Sequence, residues 1–183
     1  MRIIAGKHRG RRIESPKGKD IRPTTDRCRE AVFNLLMHMK PNPVIDQRVL
    51  DLCCGTGALG LEALSRGAAH ATFMDQSSAA MKLARHNCET MNELDNASFS
   101  QTDSSQPTHA PEPVALVLMD APYHSGLIGP AFQNLKARGW LKEGTVLAFE
   151  QDHKEEFPEL EGCEIVKQRD YGKTRVTIVE YNG

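Results

Sequence analysis

Aromatic residues are scarce in this sequence, at 5% with a single Trp, and no apolar run approaches the roughly 18–20 residues that a membrane span needs. The five cysteines, Cys28, Cys53, Cys54, Cys88 and Cys163, include no C-x-x-C pair, and no His-x₃₋₅-His spacing accompanies them. That pattern argues against a disulfide framework or a structural zinc site, so no metal is expected and a reducing cytoplasm is. The opening MRIIAGKHRG has basic residues without an apolar block behind them, and no secretory signal is expected. Net charge is nearly absent too, at −1 over 183 residues. With 39% hydrophobic and 26% charged residues, the composition fits one soluble globular domain and not a disordered chain.

The near-zero charge hides an asymmetry. Residues 1–29 hold ten Lys/Arg against three acids, a surplus of +7, while the rest carries −8. A basic surplus crowded into one end reads as a footprint for a polyanion, because each Lys or Arg near a phosphate releases a counterion. A solvated basic hairpin is the alternative reading. With few aromatics beside these charges, stacking on unpaired bases is not suggested.

Short apolar runs alternate with amphipathic stretches along the rest of the chain. VLDLCC (49–54), ATFMD (71–75), ASFSQTD (97–103), VALVLMD (114–120) and TVLAFEQ (145–151) read as strands. GLEALSRG, SSAAMKLARHNCETMNE and GPAFQNLKARGW carry apolar residues at helical spacing, with Ser77 or Ser78 placed to cap the second. This alternation predicts a mostly parallel sheet with helices on both faces. EIVKQRDY and TRVTIVEY, joined at Gly172-Lys173, predict a final antiparallel hairpin. RIIAGKHRGRRIES predicts another small hairpin, within a basic arm over 1–21 that precedes a globular domain over 22–183. TTDRCREAVFNLLMHM predicts a helix capped by Thr24 or Thr25, with Val32, Leu35, Leu36 and Met39 facing the core. Residues 104–113 lack periodicity and read as a mobile loop.

Gly55-Thr-Gly57-Ala-Leu-Gly60 follows the first expected strand and opens a helix. Glycines there allow a tight turn and close backbone approach to a ligand, and the helix start offers unpaired N–H groups. Asp75, twenty residues beyond Gly55, stands where a ribose hydroxyl would be accepted. A nucleoside-containing ligand is therefore expected. Asp51 lies four residues before Gly55, where a carboxylate repels pyrophosphate but suits an ammonium group such as that of S-adenosylmethionine. Asp103 is a candidate acceptor for an adenine amine, or an ordinary strand-ending turn residue. Their neighbours Cys54, Gln76 and Ser104 join the expected donor contacts.

The fourth strand ends in Asp120-Ala121-Pro122-Tyr123. An exocyclic amine is a poor nucleophile because its lone pair is delocalised into the ring. A carboxylate and a backbone carbonyl accepting from its two N–H bonds would hold it beside a sulfonium, and an aromatic ring would cover the base.

On these segments the chain resembles the class I methyltransferases that modify amino groups. More narrowly, it resembles the RsmD family of bacterial guanine-N2 methyltransferases acting on small-subunit ribosomal RNA. The carrying segments are MRIIAGKHRGRRI, RPTTDRCREAVFNLL (22–36), VLDLCCGTGALGLEALSRGA (49–68), DAPY (120–123) and YGKTRV. The resemblance implies a Rossmann-like, seven-stranded, mostly parallel α/β sheet of order 3-2-1-4-5-7-6. It also implies S-adenosylmethionine as donor, and a guanine N2 in an assembling small subunit as acceptor. Carried over by residue, Asp51, Gly55 and Gly57 form the donor loop, Asp75 holds the ribose and Asp103 reads the adenine. Asp120, Pro122 and Tyr123 hold the target base. Arg9, Arg11, Arg22, Arg27 and Arg29 fall where the basic N-terminal segment meets RNA.

One position departs from the family, which has Pro where this chain has Ala121. The carbonyl survives and Pro122 still restricts Ala121 to extended geometry, so methyl transfer is expected to be retained, with a slower rate as the only cost. Other acceptors remain open at this point, namely adenine N6 in DNA or RNA and a protein glutamine amide. A non-catalytic RNA-binding protein with a vestigial donor pocket is a further alternative, and a nicotinamide reductase comes last. The protein is expected to act as a monomer without a membrane. Cys53 and Cys54, which flank the loop, read as small buried strand residues.

Overall fold

The Val-, Leu- and Phe-rich runs form seven strands: β1 (Arg48–Leu52), β2 (His70–Asp75), β3 (Ala97–Gln101), β4 (Leu116–Asp120), β5 (Thr145–Asp152), β6 (Cys163–Tyr171) and β7 (Thr174–Tyr181). The computed structural model describes residues 1–16 and 26–183. It orders the strands β3-β2-β1-β4-β5-β7-β6, as the family resemblance implied. β1 to β5 pair in parallel, whereas β7 runs antiparallel to both β5 and β6. Tyr171 pairs with Thr174, so the last hairpin turns at Gly172-Lys173 as expected.

Among the described residues four α-helices pack on these strands: α1 (Asp26–Met37), which precedes β1, and the connecting helices α2 (Ala58–Ser65), α3 (Ser78–Thr90) and α4 (Ile128–Ala137). α1, α2 and α3 cover one face of the sheet, and α4 packs on the other through Ala131, Phe132 and Leu135. Ser77 caps α3 by accepting from the Ala80 N–H at 3.3 Å. On α1, Val32 and Leu36 are buried as expected and Leu35 is partly so; Met39 is partly buried but lies beyond the end of the helix at Met37. Phe33 is buried as well, which the reading of its face missed. Thr24, Thr25 and Arg22 lie outside the described residues. Among the described residues no helix is long and apolar enough to cross a membrane.

The α4 face is completed by loops. Segment 104–113 forms no helix or strand, yet it is fastened rather than loose. Trp140 Nε1 donates to the Thr108 carbonyl at 2.6 Å, and the Ala110 N–H donates to the Arg138 carbonyl at 2.9 Å. Periodicity cannot reveal a loop held by single hydrogen bonds of this kind.

The N-terminal hairpin forms too, with Ile3 N–H bonded to the Arg11 carbonyl and Ile13 N–H to that of Met1. Ile3 and Ile13 are buried and join the core beneath α2 and α3. Glu62, fully buried on α2, holds the hairpin in place. Its carboxylate accepts from the Ile4 N–H at 2.8 Å, the Ala5 N–H at 3.0 Å and Arg66 Nε at 2.8 Å, and Arg29 Nε stands 3.6 Å away. The next turn closes on Ser65, whose carbonyl accepts from the Lys7 N–H and whose hydroxyl accepts from the His8 N–H. A Cβ at Gly6 would lie 1.8 Å from that carbonyl, so only glycine allows this approach.

A buried carboxylate with this many donors is costly to delete, because its cationic partners would remain buried without it. Glu62→Ala is expected to destabilise the fold by about 3–5 kcal/mol, read as a lowered urea midpoint. A loss below about 1 kcal/mol, the range of a surface ion pair, would contradict this role.

Candidate active site

The carboxyl ends of β1, β2 and β4 open onto a cavity of about 1180 Å³. Such ends are where open α/β sheets bind ligands. Asp51, Cys54, Gly55, Asp75, Asp120, Ala121, Pro122 and Tyr123 all line it. Sequence positions spread over 73 residues therefore share one space, because three parallel strands end at one level.

Three carboxylates converge there. Asp51 is 1% exposed and its Oδ2 accepts from the Gly60 N–H at 2.7 Å. Burial pushes its carboxyl well above the ordinary range; the Gly60 bond opposes the rise, and the charges of Asp120 and Asp75 add to it. Asp75 accepts from the Gly55 N–H at 3.0 Å and the Ser77 N–H at 2.9 Å, one with each oxygen. A carboxylate has about four lone-pair sites, so room is left for further donors. Acids that repel one another in an apolar enclosure favour a positively charged ligand.

The glycines divide their tasks. Gly57 caps α2 at φ 79° and does not line the cavity. Gly60 lets the helix approach the sheet, since a Cβ there would fall 2.3 Å from Phe73. Gly55, at φ 52°, has open space where a side chain would project, as a backbone cradle requires.

Three further expected donor contacts stand elsewhere. Gln76 is exposed and lies off the cavity lining. Asp103 is also outside it, folded into a local turn in which Oδ1 accepts from the Ser105 N–H and hydroxyl. Those bonds hold the Asp103 carboxyl below its usual range. The geometry is thus that of the turn residue. Ser104 is buried and accepts from Cys53 Sγ at 3.1 Å. Burial pushes the Cys53 thiol up to about 12 and that of Cys54 higher still, so neither is a nucleophile near neutral pH.

The arginines also separate. Arg9 and Arg27 are exposed; Arg11 is exposed and donates to the Thr90 carbonyl. Arg29 is the correction. Expected on the RNA-facing surface, it is wholly buried between Glu62, Asp26 at 3.0 Å and the Arg2 carbonyl. No polyanion reaches it in this fold.

Sequence reasoning missed the hairpin's share of the cavity. Met1, Glu14 and Pro16 line it opposite Lys82 and His86 of α3. Glu14 Oε2 lies 3.0 Å from His86 Nε2 across the rim. Asn87 accepts from the Glu14 N–H at 2.9 Å, and its Nδ2 is 3.0 Å from both the Glu14 and Thr56 carbonyls. One buried amide thus joins the hairpin to the glycine loop. An amide on the buried face of α3 was the available signal, since such a group requires partners. Among the described residues no group of three His, Cys, Asp or Glu is placed to hold a metal ion.

A 3-2-1-4-5-7-6 sheet with a glycine loop after β1 and an acidic turn after β4 defines a class I methyltransferase fold. The profile of the family described as "Conserved hypothetical protein 95" matches residues 1–180, and the chain belongs to that family. It is 34% identical over 158 residues to Ribosomal RNA small subunit methyltransferase D of Escherichia coli K12, covering 86% of this chain and 78% of that one. The protein of the same name in Haemophilus influenzae is 32% identical over 178 residues, covering 94% and 89%. The solved yhhF structure of Escherichia coli matches with a TM-score of 0.84 at 31% identity, covering 100% of this chain and 98% of that one.

The buried charge at Asp51 has a pH signature. Its raised carboxyl favours the protonated folded state, so its cost is small near pH 4, grows as pH rises above the ordinary carboxyl value and levels off beyond the folded value. Asp51→Asn keeps an oxygen for the Gly60 N–H and removes the charge. Without ligand it is expected to melt higher than the parent at pH 8, with the gap closing towards pH 4. A gap that is reversed, or constant with pH, would contradict this account.

Proposed function

We propose that this protein transfers a methyl group from S-adenosylmethionine to the exocyclic N2 of a guanine in small-subunit ribosomal RNA. The observation that carries this is the convergence of Asp51, Asp75 and Asp120 on one largely apolar cavity. The names of the relatives support the choice of acceptor. When bound, S-adenosylmethionine supplies an electrophilic methyl on a cationic sulfur.

The donor set suits such a molecule. Asp51 attracts its ammonium, Asp75 keeps lone pairs for ribose hydroxyls, and the open space at Gly55 admits the chain between them. Pockets for drug-sized ligands run to roughly 300–1,000 Å³, so a cavity of about 1180 Å³ has space for a nucleoside beside the donor. Asp120 accepts from one N–H of the target amine and the Ala121 carbonyl from the other. Both acceptors gain strength as positive charge develops on nitrogen. Tyr123 covers the base and excludes water. Outside the cleft, Arg9, Arg11 and Arg27 meet phosphates, and the substrate is an assembling subunit met by a cytoplasmic monomer.

The direct test incubates the protein with methyl-labelled donor and small subunits from a strain lacking this gene, followed by nucleoside mass spectrometry. N2-methylguanosine is expected; label only in N6-methyladenosine or in protein would contradict the reading. Asp120→Ala is expected to lower kcat by about 10²–10³-fold while donor binding persists. The arm has a separate readout. Arg9→Ala with Arg11→Ala should weaken RNA binding and flatten its log–log salt slope by about 0.7–0.9 per lost contact. An unchanged slope would remove the arm from the interface.

A further inference from the structure

In the acceptor turn Pro122 keeps Ala121 extended, but no ring fixes the φ of Ala121 itself. The turn also runs into His124 at φ 59°, a left-handed conformation that a non-glycine residue holds only when its surroundings enforce it. Two elements distant in sequence supply that enforcement. Glu155, in the loop after β5, accepts from the His124 N–H at 2.7 Å and from the Asp152 N–H at 3.0 Å, one with each oxygen. It thereby clips the end of the turn to the end of β5. Gln151 Nε2 holds the Glu155 carbonyl at 3.0 Å and fixes the clip itself. On the other side, Tyr123 Oη shares a hydrogen bond of 2.8 Å with Oγ1 of Thr174, a buried residue at the start of β7. The His153 N–H donates to the Lys173 carbonyl at 2.9 Å, joining the two supports.

We infer that Thr174 and Glu155 are positioning residues for the acceptor base, a brace that holds the Tyr123 ring and the Ala121 carbonyl in register where a second proline would otherwise stiffen the turn. This rests on the methyltransfer reading above and gives the YGKTRV segment a task in it. The hydroxyl of Thr174 fixes the tilt of the ring against which the base lies. Glu155 fixes the backbone immediately after that ring. Neither touches the reacting atoms; both act through Tyr123 and its neighbours. A ring free to tilt leaves the amine out of line with the donor methyl, which costs rate more than donor affinity.

The test uses the full chain labelled with 3-fluorotyrosine, the Tyr123 signal among its three tyrosines being assigned from the Tyr123→Phe protein, together with kcat and KM for methyl transfer to small subunits. Thr174→Val is expected to broaden or shift the Tyr123 signal and to lower kcat about tenfold, with the KM for donor unchanged. Thr174→Ser, which keeps the hydroxyl, should restore both. Ala121→Pro should raise kcat by a larger factor in the Thr174→Val protein than in the parent, because it supplies the missing stiffness by another route. The inference is overturned if Thr174→Val leaves kcat within twofold, if the Tyr123 signal does not respond, or if Ala121→Pro acts by the same factor in both backgrounds. Should the parent chain methylate no small subunit, the functional reading fails, and the brace then stands or falls on the Tyr123 signal alone.

Discussion

The Glu62 carboxylate is the contact on which the cavity depends. Buried on α2 one turn past the glycine loop, it draws two backbone N–H groups of the hairpin and two arginines onto one point. Without an acceptor there, the half-buried Ile4 and Ala5 N–H groups would lose their partner, at a cost of up to about 1–3 kcal/mol each. With it, a basic segment that would otherwise stay in water becomes part of the core. The hairpin then reaches Asn87 and contributes Met1, Glu14 and Pro16 to the donor cavity. The hairpin thereby closes one side of the opening onto which the acidic strand ends face, while Arg9 and Arg11 stay outside the lining.

That arrangement has a simple electrostatic logic. In the function proposed above, the strand tips would present acids to a cationic donor and an amine, whereas the arm would present arginines to a polyanion. A net charge of −1 conceals both surfaces, because they cancel in the sum. On that proposal, opposite fields would let a phosphate backbone approach the arm without being drawn into the acidic cleft. The proposed brace adds mechanical definition at the acceptor side, where the sequence has an alanine.

The parts of the fold written locally were legible. Strand runs, the glycine loop, the Ser77 cap and the last hairpin each depend on neighbours within a few residues, and each lies where the pattern put it. Asp51, Gly55, Asp75 and the 120–123 turn were legible because strand ends in a parallel sheet meet at one edge. What stayed hidden depends on partners far along the chain. Nothing near Arg29 distinguishes it from Arg27, yet one faces Glu62 in the core and the other faces solvent. Glu14 reads as a lone acid among arginines until Asn87, 73 residues away, is seen to hold its backbone. Asp103 is the opposite case, since the serines beside it mark a local turn and its carboxylate bonds to Ser105 rather than facing the cavity.

A crystal structure with S-adenosylhomocysteine tests the central claim most directly, that these strand ends form a donor site facing an acceptor turn. The account predicts the α-amino group at Asp51, directly or through one water, the ribose hydroxyls on Asp75, and the sulfur opening towards Asp120 and Ala121. A product molecule bound away from Asp51 and Asp75, or with its sulfur turned from Asp120, would contradict it.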